Sequence, residues 1–285
     1  MFITFTNRFL LLQHLPKGGY CCEVGVFKGD YSQKILKIVE PKNLVLVDPW
    51  EYSEDTFNPF PDTPDHLQPI YQVIERFVGT GYSVIDGRVN VNLHDKYEQV
   101  KERFKDCDSV KIIKKSSHEA VIDFPDETFD FIYLDGNHQY EWILINILEW
   151  SKKLKPGGII GLNDVASSPC GRNQNLGVLE AISSFIKRSD FVPIVLTLND
   201  FAECWITNNC SSSYVMDFKT SFLNCTATTC NDHQKGGYQI NPDLLKTHPD
   251  LPSFVIEVDD SWLHSFNHKN IKINDEKMVF IPSFK

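Results

Sequence analysis

The residues most able to do chemistry crowd into one stretch, Asp130-Phe131-Ile132-Tyr133-Leu134-Asp135-Gly136-Asn137-His138-Gln139-Tyr140-Glu141, and one dipeptide, Asn163-Asp164. Asp135 falls at the carboxyl end of an apolar run that reads as a buried strand, and His138 lies about one turn beyond it. The next apolar run, GIIGL, ends in Asn163-Asp164. On neighbouring strands Asp135, Asn163 and Asp164 converge, and such oxygen donors suit a hard cation such as Mg²⁺ or Mn²⁺. A cation there would make a bound hydroxyl more acidic. His138, with an ordinary pKa of about 6.5, could then take the proton as general base. The plainer alternative makes Asp135 a cofactor contact, His138 the lead-in to a helix and Asn163-Asp164 a turn.

A second group lies near the start of the chain, at Glu23-Val24-Gly25-Val26-Phe27-Lys28-Gly29 between a strand and a helix. Gly25 and Gly29 permit a tight turn and a close backbone approach to a ligand. The spacing is not the G-x-G-x-x-G dinucleotide fingerprint, in which pyrophosphate rests on a helix N-terminus. The looser turn fits a cofactor without phosphate, such as S-adenosylmethionine; its alternative is a generic strand-to-helix turn. Asp48 ends the next strand about 20 residues after Gly29, where an acid accepts hydrogen bonds from ribose hydroxyls in doubly wound folds. Asp before Pro also starts turns, which is the alternative for Asp48.

These residues need a scaffold that gathers strand ends on one edge, and the alternation of strand and helix patterns supplies it. A leading helix near residues 5 to 14 precedes strand YCCEVGV (20 to 26), helix DYSQKILKIV (30 to 39) and strand NLVLVD (43 to 48). A long loop from Pro49 to about Thr63 leads to helices near 66 to 78 and 94 to 105 and to strand VKIIK (110 to 114). Strand FDFIYLD, helix YEWILINILEWSKKL, the terminator Lys155-Pro156-Gly157-Gly158 and strand GIIGLND follow. A helix at 178 to 188 and strands FVPIVLTL and FAECWIT complete the pattern, with Asn199-Asp200 suggesting a hairpin and hence an antiparallel last strand. The expected fold is α/β, a doubly wound, Rossmann-like, seven-stranded sheet, mostly parallel with the last strand antiparallel, plus a C-terminal extension. Residues 1–209 form the domain and 210–285 an extension whose role the pattern does not show.

Composition narrows the partners. A chain of 285 residues with 42% hydrophobic residues can cover a large core. A net charge of -10 argues against nucleic acid, whose phosphates need clustered Lys and Arg. No apolar run approaches the roughly 20 residues of a membrane span, and the opening MFITFTNRFLLLQHL reads poorly as a signal peptide, so the expectation is a soluble cytoplasmic protein. Self-association stays open. The cysteines read as reduced thiols, and the spacing of Cys204, Cys210, Cys225 and Cys230 fits no tight pair of zinc knuckles.

The segment Glu23 to Gly29, the LVLVDPW run and above all FDFIYLDGNHQYEWILINILEWSKKLKPGGIIGLND resemble the sugar and small-molecule O-methyltransferases related to macrocin O-methyltransferase, over residues 5 to 207. The resemblance implies a class I methyltransferase fold and S-adenosylmethionine as cofactor, contacted by Glu23, Gly25, Gly29, Asp48, Ser117 and Asp135. It implies a divalent cation on Asp135, Asn163 and Asp164, His138 as base, and a hydroxyl of a sugar or glycosylated small molecule as acceptor. Asn163 stands where such enzymes commonly carry an acid, which weakens the hold on Mg²⁺ by one carboxylate. Ser116 and Ser117 fall where the family places a polar contact near adenine, or else cap the helix that begins HEAVIDF. Other readings are a metal-independent methyltransferase of a phenol or amine, and a non-catalytic binding module on the same fold. A dehydrogenase is disfavoured by the missing G-x-G-x-x-G.

Overall fold

The computed structural model describes residues 2–4, 8–51, 82–85, 88–91, 93–165, 177–197, 202–227, 237–239, 254–257, 271–274 and 277–280. Strand β1 (Phe2–Thr4) and helix α1 (Arg8–Leu12) open the chain. The helix is shorter than the sequence suggests, because Gln13, His14 and Leu15 donate to carbonyls three residues back and tighten the last turn before Pro16. Strand β2 (Tyr20–Val24), helix α2 (Asp30–Ile38) and strand β3 (Asn43–Asp48) follow as expected. The expected loop beyond Glu51 and the helix near 66 to 78 lie outside the described residues. Strands β4 (Tyr82–Ile85) and β5 (Arg88–Val91) pair with each other antiparallel, an addition to the expected elements. Helix α3 (Leu93–Phe104), strand β6 (Val110–Lys114), helix α4 (Ser117–Ala120) and strand β7 (Phe129–Leu134) lead to helix α5 (Tyr140–Trp150).

The terminator expected at Lys155 to Gly158 lies inside strand β8 (Leu154–Leu162) instead. A 3-10 turn over Ser151–Lys153 has already closed the helix. Phe129 pairs with Leu154 but Phe131 with Ile159, so Lys155 to Gly158 are absorbed as a bulge where β8 joins the sheet. Helix α6 (Val178–Ile186) and strands β9 (Val192–Thr197) and β10 (Cys204–Thr207) complete the expected set. Beyond it come helix α7 (Ser213–Ala227) and strands β11 (Gly237–Gln239), β12 (Phe254–Glu257), β13 (Ile271–Asn274) and β14 (Lys277–Phe280).

The expected seven strands run in the order β9-β10-β8-β7-β2-β3-β6, and β10 is antiparallel to both its neighbours. Three short strands lengthen the sheet past β9: β1 lies parallel to β9 and antiparallel to β12, which carries β11.

Alternation along the strands sorts side chains onto two faces. Cys22, Val45, Val47, Ile132, Leu134 and Ile160 pack with Ile143, Ile147 and Trp150 of α5 and Ile182 and Phe185 of α6. Cys21, Leu44, Leu46, Phe131, Tyr133 and Ile159 pack on the other face with Leu11, Leu12, Ile35, Val100 and Phe104. Val215, Phe218 and Phe222 of α7 belong to this second layer, so a helix from the C-terminal extension completes the cover of the sheet. No helix among the described residues is long and apolar enough to cross a membrane.

Candidate functional site

The site is built where β2, β3, β7 and β8 end. At the end of β2 the chain reaches Gly25 at φ +91°, and a Cβ there would lie 2.1 Å from the carbonyl oxygen of Asp135. Only glycine lets the ends of β2 and β7 come this close. Phe27 and Gly29 also take positive φ, and Gly29 donates to Val26 as the chain turns into α2.

Asp48 holds this turn. One carboxylate oxygen accepts the amides of Val26 and Phe27, both at 2.9 Å, and the other accepts Trp50 at 2.7 Å. Trp50 in turn donates its indole N–H to the Phe27 carbonyl at 2.7 Å. Burial raises the pKa of Asp48 above the ordinary range, while the three amides oppose the shift. The oxygen facing Trp50 receives a single described donor, which leaves it further acceptor capacity.

Glu23 sits deeper. It is buried, accepts the Ser32 hydroxyl from α2, and burial pushes its pKa well up. Its role in the structure is to tie α2 to β2. Ser116 caps α4 through a complete capping box with Glu119, and the Ser117 hydroxyl donates to Asn146 of α5. Ser116 is thus the cap of the alternative reading, while Ser117 has a partner in another helix.

Asp135, His138, Asn163 and Asp164 do come together. The His138 ring lies between two carboxylates, with Nε2 3.3 Å from Asp135 and Nδ1 3.3 Å from Asp164. Nε2 makes no aligned hydrogen bond. Burial works against a charged ring, but the two carboxylates outweigh it and the pKa of His138 rises above its ordinary value. Burial likewise raises Asp164, which stands at φ +58° just past β8. Asn163 donates its amide to Asp135 at 2.9 Å, and its own oxygen is buried without a partner.

Two contributors were not foreseen. Arg8, at the start of α1, reaches Asp135 at 3.3 Å and the Tyr133 hydroxyl at 3.4 Å. Burial opposes its charge, but Tyr133, Asp135 and Glu203 together raise its pKa further. Glu203, fully buried one residue before β10, accepts Tyr133 at 2.5 Å and the Trp205 indole at 2.9 Å. Burial pushes its pKa up to about 8. Each has a faint signal in the sequence: a lone acid within FAECWIT, and a lone Arg ahead of FLLL.

The residues expected to bind a divalent cation do not make such a site. One oxygen of Asp135 faces the Arg8 guanidinium and the other accepts the Asn163 amide, while Asp164 faces His138. Donors therefore point where a hard cation needs acceptors. Among the described residues no group of three or more His, Cys, Asp or Glu side chains is placed to hold a metal ion.

Six parallel strands, an antiparallel seventh set between the fifth and the sixth, and an acidic, glycine-turned carboxyl edge define a class I methyltransferase fold. The chain belongs to the methyltransferase family: the family model described as "Methyltransferase domain" matches residues 22–165, from β2 to just past β8. No curated protein matches it. Among solved structures it is similar to a protein of Corynebacterium glutamicum at 10% identity, over 73% of this chain and 84% of that one, with a TM-score of 0.46. It is also similar to the SAH-bound methyltransferase PaMTH1 of Podospora anserina, at 13% identity over 66% and 70% with a TM-score of 0.40. A third likeness is to spermidine synthase of Thermotoga maritima, at 10% identity over 90% and 71% with a TM-score of 0.45.

Proposed function

We propose that this methyltransferase uses S-adenosylmethionine and acts on a hydroxyl of a sugar or a glycosylated small molecule, with His138 as general base. The observation that carries the proposal is the imidazole held between Asp135 and Asp164 at 3.3 Å from each, on the same edge as the Gly25 turn and Asp48. When bound, the cofactor supplies an electrophilic methyl carbon whose bond to sulfur breaks toward sulfur as the bond to oxygen forms. Neutral His138 takes the hydroxyl proton in that step. The two flanking carboxylates stabilise the imidazolium until solvent removes the proton. Asp48 keeps the Gly turn closed and offers its remaining lone pair to a ribose hydroxyl. Catalysis is then proximity plus deprotonation. The hydroxyl acceptor is supported by the resemblance of the Phe129 to Asp164 segment to sugar O-methyltransferases.

Calorimetry with S-adenosylhomocysteine and transfer of labelled methyl to a panel of glycosylated hydroxyl acceptors test the reading. Saturable binding of S-adenosylhomocysteine and label recovered on an ether oxygen are expected. Binding of NAD in its place would overturn it.

A further inference from the structure

The same edge carries a positive charge of its own. The Arg8 guanidinium lies 5.0 Å from the Tyr31 ring centroid and 5.5 Å from that of Phe9, while donating to Tyr133 and Asp135. Tyr133 is itself fixed by its bond to buried Glu203. The guanidinium is thus braced on two aromatic faces and aimed at the carboxylate by a buried network, unlike a surface ion pair.

We propose that Arg8 is the resident cation of this edge, occupying the place of a divalent ion and holding the Asp135 carboxylate beside His138, so that the site needs no metal. The proposal rests on reading this edge as the methyl-transfer site. A dication on Asp135 would face the guanidinium across one carboxylate, and like charges repel strongly in a partly desolvated pocket. Asn163 adds no charge to offset that repulsion and spends its amide on Asp135. Asp164 is left as the single further carboxylate, already opposite His138. Arg8 is a positioning residue: it acts on Asp135, and through it on the ring that takes the proton.

The test titrates MgCl₂ and, separately, S-adenosylhomocysteine into the full chain as wild type, Arg8→Lys and Arg8→Gln, by calorimetry. Wild type and Arg8→Lys should show no saturable Mg²⁺ heat, and wild-type affinity for S-adenosylhomocysteine should be the same with EDTA and with Mg²⁺. Arg8→Gln should bind Mg²⁺ at least about ten-fold more tightly than wild type, since the repelling charge is gone, and adding Asp135→Asn should abolish that gain. A purely structural role for Arg8 would not create a metal site. Wild type binding Mg²⁺ as tightly as Arg8→Gln, or a folded Arg8→Gln that gains nothing, would overturn the proposal. If Arg8→Gln does not fold, the wild-type titration decides alone: no saturable heat sustains the proposal, and heat removed by Asp164→Asn overturns it. A wild type that fails to bind S-adenosylhomocysteine counts against the methyltransferase reading, and the Mg²⁺ arm still decides on Arg8.

Discussion

Replacing Glu203 by Gln should stabilise the protein at neutral pH and flatten part of its pH dependence. The carboxyl is fully buried, and its pKa is pushed up to about 8 from an ordinary 4.5. Below pH 4.5 the acid is protonated in both the folded and the unfolded chain. As the pH rises the unfolded chain releases the proton and the folded one keeps it, so stability falls by about 1.4 kcal/mol per pH unit until the folded group ionises near pH 8. The loss is about 3 kcal/mol by pH 7 and about 5 kcal/mol once pH 8 is passed. Gln has the shape of the protonated acid: its oxygen can accept the Trp205 indole and its amide can donate to the Tyr133 oxygen. Urea unfolding of both proteins from pH 5 to 8.5 measures the effect. His14 runs the other way, since burial pushes it down to about 4 and its contribution is lost as the pH falls from 6.5 through 4. That contribution is common to both proteins and cancels in the difference. Curves that run parallel across the range would refute the reasoning, because Glu203 would then be ionised inside the fold at no cost.

Gly25→Ala should destabilise by more than about 2 kcal/mol in the same urea assay, because a Cβ would lie 2.1 Å from the Asp135 carbonyl and the backbone stands at φ +91°. Asp48→Ala frees the amides of Val26, Phe27 and Trp50 and should weaken S-adenosylhomocysteine binding by about ten-fold or more in calorimetry; an unchanged affinity would remove Asp48 from the cofactor site. His138→Ala should lower methyl transfer by about 10² to 10⁴ with cofactor affinity nearly intact. The wild-type rate should climb with pH through a midpoint above 6.5, since the raised pKa keeps the base protonated at lower pH; a rate independent of pH from 6 to 9 would exclude His138.

The strand pattern was legible because five of the strands are apolar runs closed by an acid, a glycine or an asparagine, and a sheet buried on both faces writes that pattern directly. Asp48, Asp135, His138 and Asp164 were legible for the same reason: each stands at or just past a strand end. Arg8 and Glu203 were not, since each acts through a partner more than 60 residues away, and one sequence carries no sign of such pairing. Other misses left clearer signals. Val215, Phe218 and Phe222 fall at helical spacing in the segment assigned to the extension, and the sequence carries Asp86-Gly87, a hairpin signal, between β4 and β5. Metal binding was expected from residue types and from the resemblance, and neither carries the partners of a side chain: Arg8 and Asn163 both donate to the Asp135 carboxylate.

The place of β1 in the sheet bears on how the chain folds. Phe2 pairs with Val195 on one side and Glu257 on the other, so β1 is fully seated only once β9 and β12, both far along the sequence, are in place. Loop closure over that span makes this pairing a late step. Until then β9 presents a bare edge, ready to pair with any extended segment nearby. The folding chain therefore has an interval in which most of its sheet can form but its margin is open to a neighbouring copy.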